Sequence, residues 1–462
     1  MNDMVNQYFH ALRGKKIAVL GIGVSNRPLI KLLLSYGLDV TACDRTEREK
    51  LDPEVLELEQ AGAVLRVGSG YLDGLTADVV FRTPGMHPNL PALCQLRESG
   101  AVITSEMEAF FTVCPCKIIA VTGSDGKTTT TTLIAEILKH AGKTVWVGGN
   151  IGQPLLPMAK DMQAEDLAVV ELSSFQLMHM HQSPHVAVVT NLAPNHLDVH
   201  KDMQEYIEAK ENIYLHQKAQ DRAVFNLDNA ITASFVPKAK GSVSCFSGKQ
   251  TADVWFDGET IYHNGSAVMT RSDIVIPGLH NVENYMAAIC AVEEYAADAD
   301  VLAVARTFGG VEHRIELVRT LDGVRYYNDS IASSPTRTIA GLHAFDQKVI
   351  LIAGGYDKQI PFDVLGPEII AHVKCLILCG ATAGKIKQAV LDASEYAGEP
   401  PMFTVDCLED AVKAARENAS SGDIVTLSPA CAAFDQFKNF MVRGNTFKAI
   451  VNALGEREIV QC

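Results

Sequence analysis

Short aliphatic runs recur along the chain, and between them apolar positions repeat at helical spacing. Runs at 16–20, 39–43, 63–67, 78–82, 118–122, 144–147, 168–172, 186–191 and 222–226 read as strands, as do 324–328, 348–353, 374–379 and 423–427. They are continuously apolar rather than alternating. Strands of that kind are buried on both faces, and helices between them imply parallel neighbours joined by right-handed crossovers. The predicted class is α/β. One stretch breaks the pattern. Residues 242–276 are polar, with short runs and the turn pairs Asp257-Gly258 and Asn264-Gly265, and read as a small β appendage.

The chain's 462 residues suit about three domains. A first unit, 1–104, ends where a new strand and glycine loop begin. A second, 105–310, ends at Gly309-Gly310, and a third spans 311–462. No apolar run approaches the roughly 18 residues of a membrane span, and 1–16 lacks the apolar stretch of a secretory signal. A cytoplasmic protein with no membrane partner is therefore expected. The net charge of −15 argues against nucleic acid, which needs a basic face, but not against a phosphorylated small molecule held by local cations and backbone N–H groups. The eleven cysteines lie mostly in apolar runs and read as free thiols; Cys114-Pro115-Cys116 has no second ligand pair to make a zinc site.

The chemistry concentrates at strand ends. The run at 118–122 feeds Gly123-Ser124-Asp125-Gly126-Lys127-Thr128, after which a helical pattern starts. Backbone N–H groups of such a loop converge on phosphate oxygens, a lysine at position 127 reaches the β/γ-phosphates, and a hydroxyl at 128 reaches magnesium. The longer P-loop spacing would want glycine at 121, where Val121 stands. Glu171 closes the next strand pattern, where an acid lies beside bound ligand and can hold magnesium. His196 follows another strand end as a metal or phosphate contact. Near the N-terminus, Gly21-Ile22-Gly23 follows a strand and Asp44 closes the next, a dinucleotide-type fingerprint with Asn26 in place of the third glycine. In the last unit, polar loops at strand ends supply Arg314, Asp329 and Lys358.

Together these segments resemble the Mur ligase family, ATP-dependent amide ligases of peptidoglycan precursor synthesis. The resemblance rests on the loop at 123–130, Gly-Gly-Asn-Ile-Gly at 148–152, the segments at 170–177 and 278–284, His313-Arg314 and Asn328-Asp329-Ser330. The tail at 427–440, followed by Arg443-Gly444, is similar to the branch that adds D-glutamate. The resemblance implies three domains: a Rossmann-like N-terminal domain, a central P-loop ATPase domain with a parallel sheet and the β appendage, and a Rossmann-like C-terminal domain. It implies UDP-N-acetylmuramoyl-L-alanine and D-glutamate as substrates, ATP and Mg2+ as cofactors, and a monomer.

By the same resemblance, Asp44 and Arg45 would contact uridine, Val24 and Ser25 the diphosphate, and Gly85 would border that ligand. Asn150 and His196 would lie along the muramoyl part. Gly123, Ser124, Asp125, Gly126, Lys127, Thr128 and Thr129 would hold ATP phosphates, and Asn281, Asn284, Arg314 and Asp329 would complete the ATP site. Lys358, Ser333, Ala433, Phe434 and Phe440 would hold D-glutamate. Thr128, Glu171, His196 and Lys210 would serve metal, and Lys127, Glu171, His196 and Lys210 catalysis. By its own setting Lys210 reads as a solvated helix lysine; the family carries a lysine carbamylated by CO2 in this segment. Three positions depart from the family pattern: Asn195 stands where aspartate is common, Ile331 where lysine is, and Ala433 where serine is. Two other classes are weaker. An oxidoreductase built on Gly21 and Asp44 lacks the third glycine, and an ATP-driven switch leaves the loops of the last unit unexplained.

Overall fold

The computed structural model describes residues 3–178, 180–194 and 200–456. Two compact units emerge, residues 1–271 with 283–304, and residues 272–282 with 305–462. Among the described residues no helix is long and apolar enough to cross a membrane, and every cysteine is free.

The first unit holds two sheets. One has five parallel strands in the order Val64–Val67, Val40–Asp44, Ile17–Leu20, Val79–Arg82, Val102–Thr104. Strand order reverses at Ile17–Leu20, which opens a crevice at its carboxyl end. The second sheet has nine strands. Its parallel part runs Val145–Gly149, Leu167–Glu171, Lys117–Thr122, Val186–Val189, Arg222–Asn226, Ser242–Ser247, Val254–Phe256. Thr260–His263 and Ser266–Thr270 then add antiparallel. The β-rich segment is thus the edge of the central sheet. Its last hairpin turns at Asn264-Gly265, both residues at positive φ (49° and 82°), the geometry an Asn-Gly pair favours. One core runs from Phe9 and Leu29 through Phe110 and Leu156 to Tyr214 and Phe235.

The second unit holds six strands in the order Glu316–Leu321, Val324–Asn328, Ile424–Leu427, Val349–Ala353, Val373–Leu378, Met402–Thr404. All neighbours are parallel except the first pair. Along Val349–Ala353, Val349 and Leu351 enter one core, and Ile350 and Ile352 the other, so the strand is buried on both faces. Every predicted strand is present. Glu316–Leu321 was not predicted: it is a partly exposed edge strand and lacks the continuous apolar run of the central ones.

Candidate functional site

Strand Lys117–Thr122 passes through the loop at 123–126 into helix Lys127–His140. Positive φ at Gly123 (153°) and Gly126 (77°) bends the chain, and a Cβ at either would collide, with Thr190 Oγ1 and Asn284 Oδ1 respectively. The predicted strand at 186–191 stops at Val189 because the next two residues brace this loop. Thr190 Oγ1 donates to Asp125 O (2.6 Å), and Asn191 accepts from Ser124 N (2.8 Å) and Asp125 N (3.0 Å). Ser124 and Thr129 are buried, while Gly126, Lys127 and Thr128 remain partly accessible at the helix start. Lys127 Nζ folds over its own loop, donating to Gly123 O and Ser124 O, both at 2.9 Å. Asn284 reaches the same helix, accepting from Thr130 Oγ1 (3.2 Å). Asn281 donates to Pro277 O (2.6 Å), within the second unit.

Glu171 ends strand Leu167–Glu171 with 1% of its surface exposed. Asn150 Nδ2 donates to its Oε1 (2.7 Å), and the buried Oε2 has no hydrogen-bond partner among the described residues. A buried carboxylate oxygen left this way calls for a cation. Lys210 lies on helix Met203–Leu215, also 1% exposed, so the solvated reading fails. Its Nζ donates to Thr122 Oγ1 (3.0 Å) and Gly123 O (2.9 Å), 5.0 Å from the centre of the Tyr206 ring. Burial drives the amine well below its ordinary value and the Lys127 charge adds to that, against Glu171 and Asp125. His196 lies outside the described residues.

On the five-stranded sheet, the loop after Ile17–Leu20 leads into helix Asn26–Ser35. Asn26, in the third-glycine place, is buried and donates to Leu20 O (3.3 Å) and Gly21 O (2.8 Å), so its side chain ties helix start to loop. Asp44 accepts from Ile22 N (2.7 Å) and Thr46 N (2.9 Å); burial pushes its carboxyl up, but these donors outweigh it and hold it below the usual range. Val24, Ser25, Arg45 and Gly85 are exposed around this crevice. Arg82 is buried and donates to Met86 O (3.1 Å) and Phe175 O (3.2 Å). It joins the Gly85 loop to the turn after Glu171. His200 is also buried, pairing with Ser174 Oγ at 2.9 Å and stacking on Phe175.

In the second unit, strand order reverses between Val349–Ala353 and Ile424–Leu427, and loops gather at that end. Asp329 is buried and accepts from Ser428 Oγ (2.7 Å). Burial pushes its carboxyl up to about 7, with Ser428, the Ile315 N–H and the Arg314 charge pulling back. Lys358 is exposed, its Nζ 3.4 Å from Ser333 O and 3.5 Å from Ser333 Oγ, which brings that expected pair together. Ala433 is buried, and Phe434 stands 62% exposed with its ring 5.8 Å from Tyr356. Phe440 opens helix Phe440–Ala453, edge-on to His313. Arg443 is spent on structure, donating to Ser330 Oγ, Ser330 O, Cys431 O and Ala432 O at 2.9–3.1 Å. A small hollow of about 10 Å³ beside it is lined by Gly354, Gly355, Gly380, Asp435 and Phe437.

The family pattern described as Mur ligase middle domain matches residues 121–292, and that described as Mur ligase, glutamate ligase domain, matches 313–431. A relative from Acetivibrio thermocellus, named UDP-N-acetylmuramoylalanine–D-glutamate ligase, is 52% identical, covering 98% of this chain and 100% of its own. One of the same name from Clostridium novyi is 51% identical with the same coverage. Among solved structures, UDP-N-acetylmuramate–alanine ligase from Thermotoga maritima is 18% identical with a TM-score of 0.58, covering 95% of this chain and 99% of its own. A MurF ligase from that organism, in complex with ADP, is 16% identical with a TM-score of 0.54, covering 90% and 95%. At these identities the structures speak for a shared fold alone.

Proposed function

The chain belongs to the Mur ligase family, and on that footing we propose that it joins D-glutamate to UDP-N-acetylmuramoyl-L-alanine by an amide bond, cleaving ATP to ADP and phosphate, in peptidoglycan precursor synthesis. The observation that carries this reading is the 52% and 51% identity, over 98% of the chain, to relatives bearing that name. The local chemistry supports it. A carboxylate is a poor acyl donor, so the alanyl carboxylate is first phosphorylated by ATP, and the amine of D-glutamate then displaces phosphate. Such a transfer needs positioning and charge more than covalent help. Gly123 to Gly126 and the helix start after them receive the ATP phosphates, and Lys127 leaves its loop carbonyls for the β/γ-phosphates. Asp44, Arg45, Val24, Ser25 and Gly85 take the UDP part, and Asn150 the muramoyl part. Lys358, Ser333, Ala433, Phe434 and Phe440 receive D-glutamate.

Magnesium suits the donors present, because Glu171 offers a buried oxygen free of hydrogen bonds and the ion takes oxygen ligands. Thr128 and Glu171 would hold it, joined by His196, and it would supply charge neutralisation at the phosphates. Lys210 is assigned as a carbamate. Its burial favours the neutral amine, the form that attacks CO2 with loss of a proton, and the product carries negative charge and two oxygen donors. The test is phosphate release from ATP with UDP-N-acetylmuramoyl-L-alanine, with and without D-glutamate. Sustained release should require both substrates, and a folded Lys127→Ala protein should be silent. Release indifferent to D-glutamate, or wild-type turnover by Lys127→Ala, would sink the reading.

A further inference from the structure

Away from every residue assigned above, the second unit carries a convergent set of metal-ligand side chains. Helix Pro335–Leu342 ends at its capping residue His343, and helix Leu365–His372 presents Glu368 and His372 one turn apart on a single face. Glu368 Oε2 lies 2.6 Å from His343 Nε2 and 3.6 Å from His372 Nε2. The two imidazole rings are 4.7 Å apart, tilted by 48°. A donor atom from each of the three residues falls within one 4.8 Å cluster. Both rings therefore turn a nitrogen toward the same carboxylate oxygen, which an ordinary surface ion pair does not require.

We propose that His343, Glu368 and His372 bind one divalent ion of the zinc type. Two imidazoles and one carboxylate, with no thiolate, suit zinc and its first-row neighbours, whereas magnesium prefers oxygen donors throughout. Zinc bonds of about 2.0–2.1 Å to nitrogen and oxygen put tetrahedral ligand atoms about 3.3 Å apart. The 2.6 Å pair then opens and the 3.6 Å pair closes, by side-chain rotation alone. The frame beneath is fixed, since Leu342, Phe345, Leu365 and Ile369 pack in one core. Both histidines sit at helix C-termini, whose partial negative charge favours a bound cation. The His343 side chain is 50% exposed, which leaves solvent access for a water in the fourth position. An ion held there clips the two helices together, so its effect is on stability rather than on the ligation chemistry.

The test uses the full chain stripped of metal by chelator. Calorimetric titration with zinc chloride should show one ion per chain at micromolar affinity, and magnesium chloride should not compete. Cobalt in place of zinc should give weak visible bands without thiolate charge transfer. Zinc should raise the unfolding temperature by several degrees. His372→Ala and Glu368→Gln should each weaken zinc binding by about a hundredfold or more, at or beyond the upper end of what outer-shell changes cause, while magnesium-supported ligation stays at the wild-type level. His343→Asn repeats the measurement with a substitution that fits the helix cap if His372→Ala fails to fold. Zinc binding unchanged in these variants, or a cobalt spectrum with thiolate bands, overturns the proposal.

Discussion

Lys210 and Lys127 both donate to the carbonyl of Gly123, so two amines crowd one loop whose partners are mostly neutral oxygens. Like charges at such a site favour losing one of them, and conversion of Lys210 to a carbamate removes the conflict. Lys210→Ala should be nearly inactive and Lys210→Arg no better, while formate should partly restore the Ala variant alone. Turnover assays at saturating magnesium decide this, and normal activity in Lys210→Ala would return the residue to a structural role. Lys358 presents a different case, an exposed cation loosely seated on Ser333. Lys358→Ala should raise the KM for D-glutamate by about tenfold or more, the loss of a single charge contact, and leave that for ATP nearly unchanged. Equal changes in both would show that it does not hold the amino acid.

Helix Glu106–Val113 shows how one element stores a pH response. Ser105 caps it, and its first residue turns inward, where Glu106 Oε1 accepts from Leu156 N (2.8 Å). Burial pushes this carboxyl from 4.5 up to about 7, with the N–H groups of Leu156 and Leu155 pulling back. Between those values the folded chain keeps a proton that the unfolded chain has released. Stability from this group is thus full below 4.5 and is lost as pH rises through about 7. Glu106→Gln keeps an acceptor oxygen without the charge. It should exceed wild type by about 1–3 kcal/mol at pH about 8, with the gain shrinking toward pH about 5. Urea unfolding at both pH values measures this; a gain that grows on acidification would contradict the assignment.

At the scale of the whole molecule, the chain crosses between its units more than once, since residues 272–282 belong with the second unit and 283–304 with the first. Each unit nonetheless carries its own cores, one built on Phe9, Phe110 and Phe225, others on Leu351 and Ile352. Cooperativity follows shared packing. Scanning calorimetry of the ligand-free chain should therefore resolve two transitions rather than one, and a single transition with equal calorimetric and van't Hoff enthalpies would refute the expectation. The net charge of −15 sets a second constraint at this scale. Anionic substrates approach against the overall field, so the proposed reading calls on local donors such as the loop N–H groups and Lys127.

The strands and the glycine turn at 123–126 were legible in the sequence because their signals are local. A run such as 349–353 is apolar at every position and can only be buried on both faces, and Gly123 and Gly126 meet a backbone demand within six residues. Asn264-Gly265 announced its hairpin in the same way, whereas Asp322-Gly323, also at positive φ, went unread because the strand before it is a partly exposed edge. Tertiary structure alone decided the sheet orders, the continuation of the β-rich segment from the central sheet, and the burial of Lys210, Glu171, Arg82 and Arg443. Lys210 meets Thr122 across 88 positions, and Arg443 meets Ser330 across 113. A charged side chain on a helix looks the same in sequence whether it faces water or a sheet. Only packing between distant segments removes the water, and that removal turns an ordinary lysine into a shifted amine beside the glycine loop at 123–126.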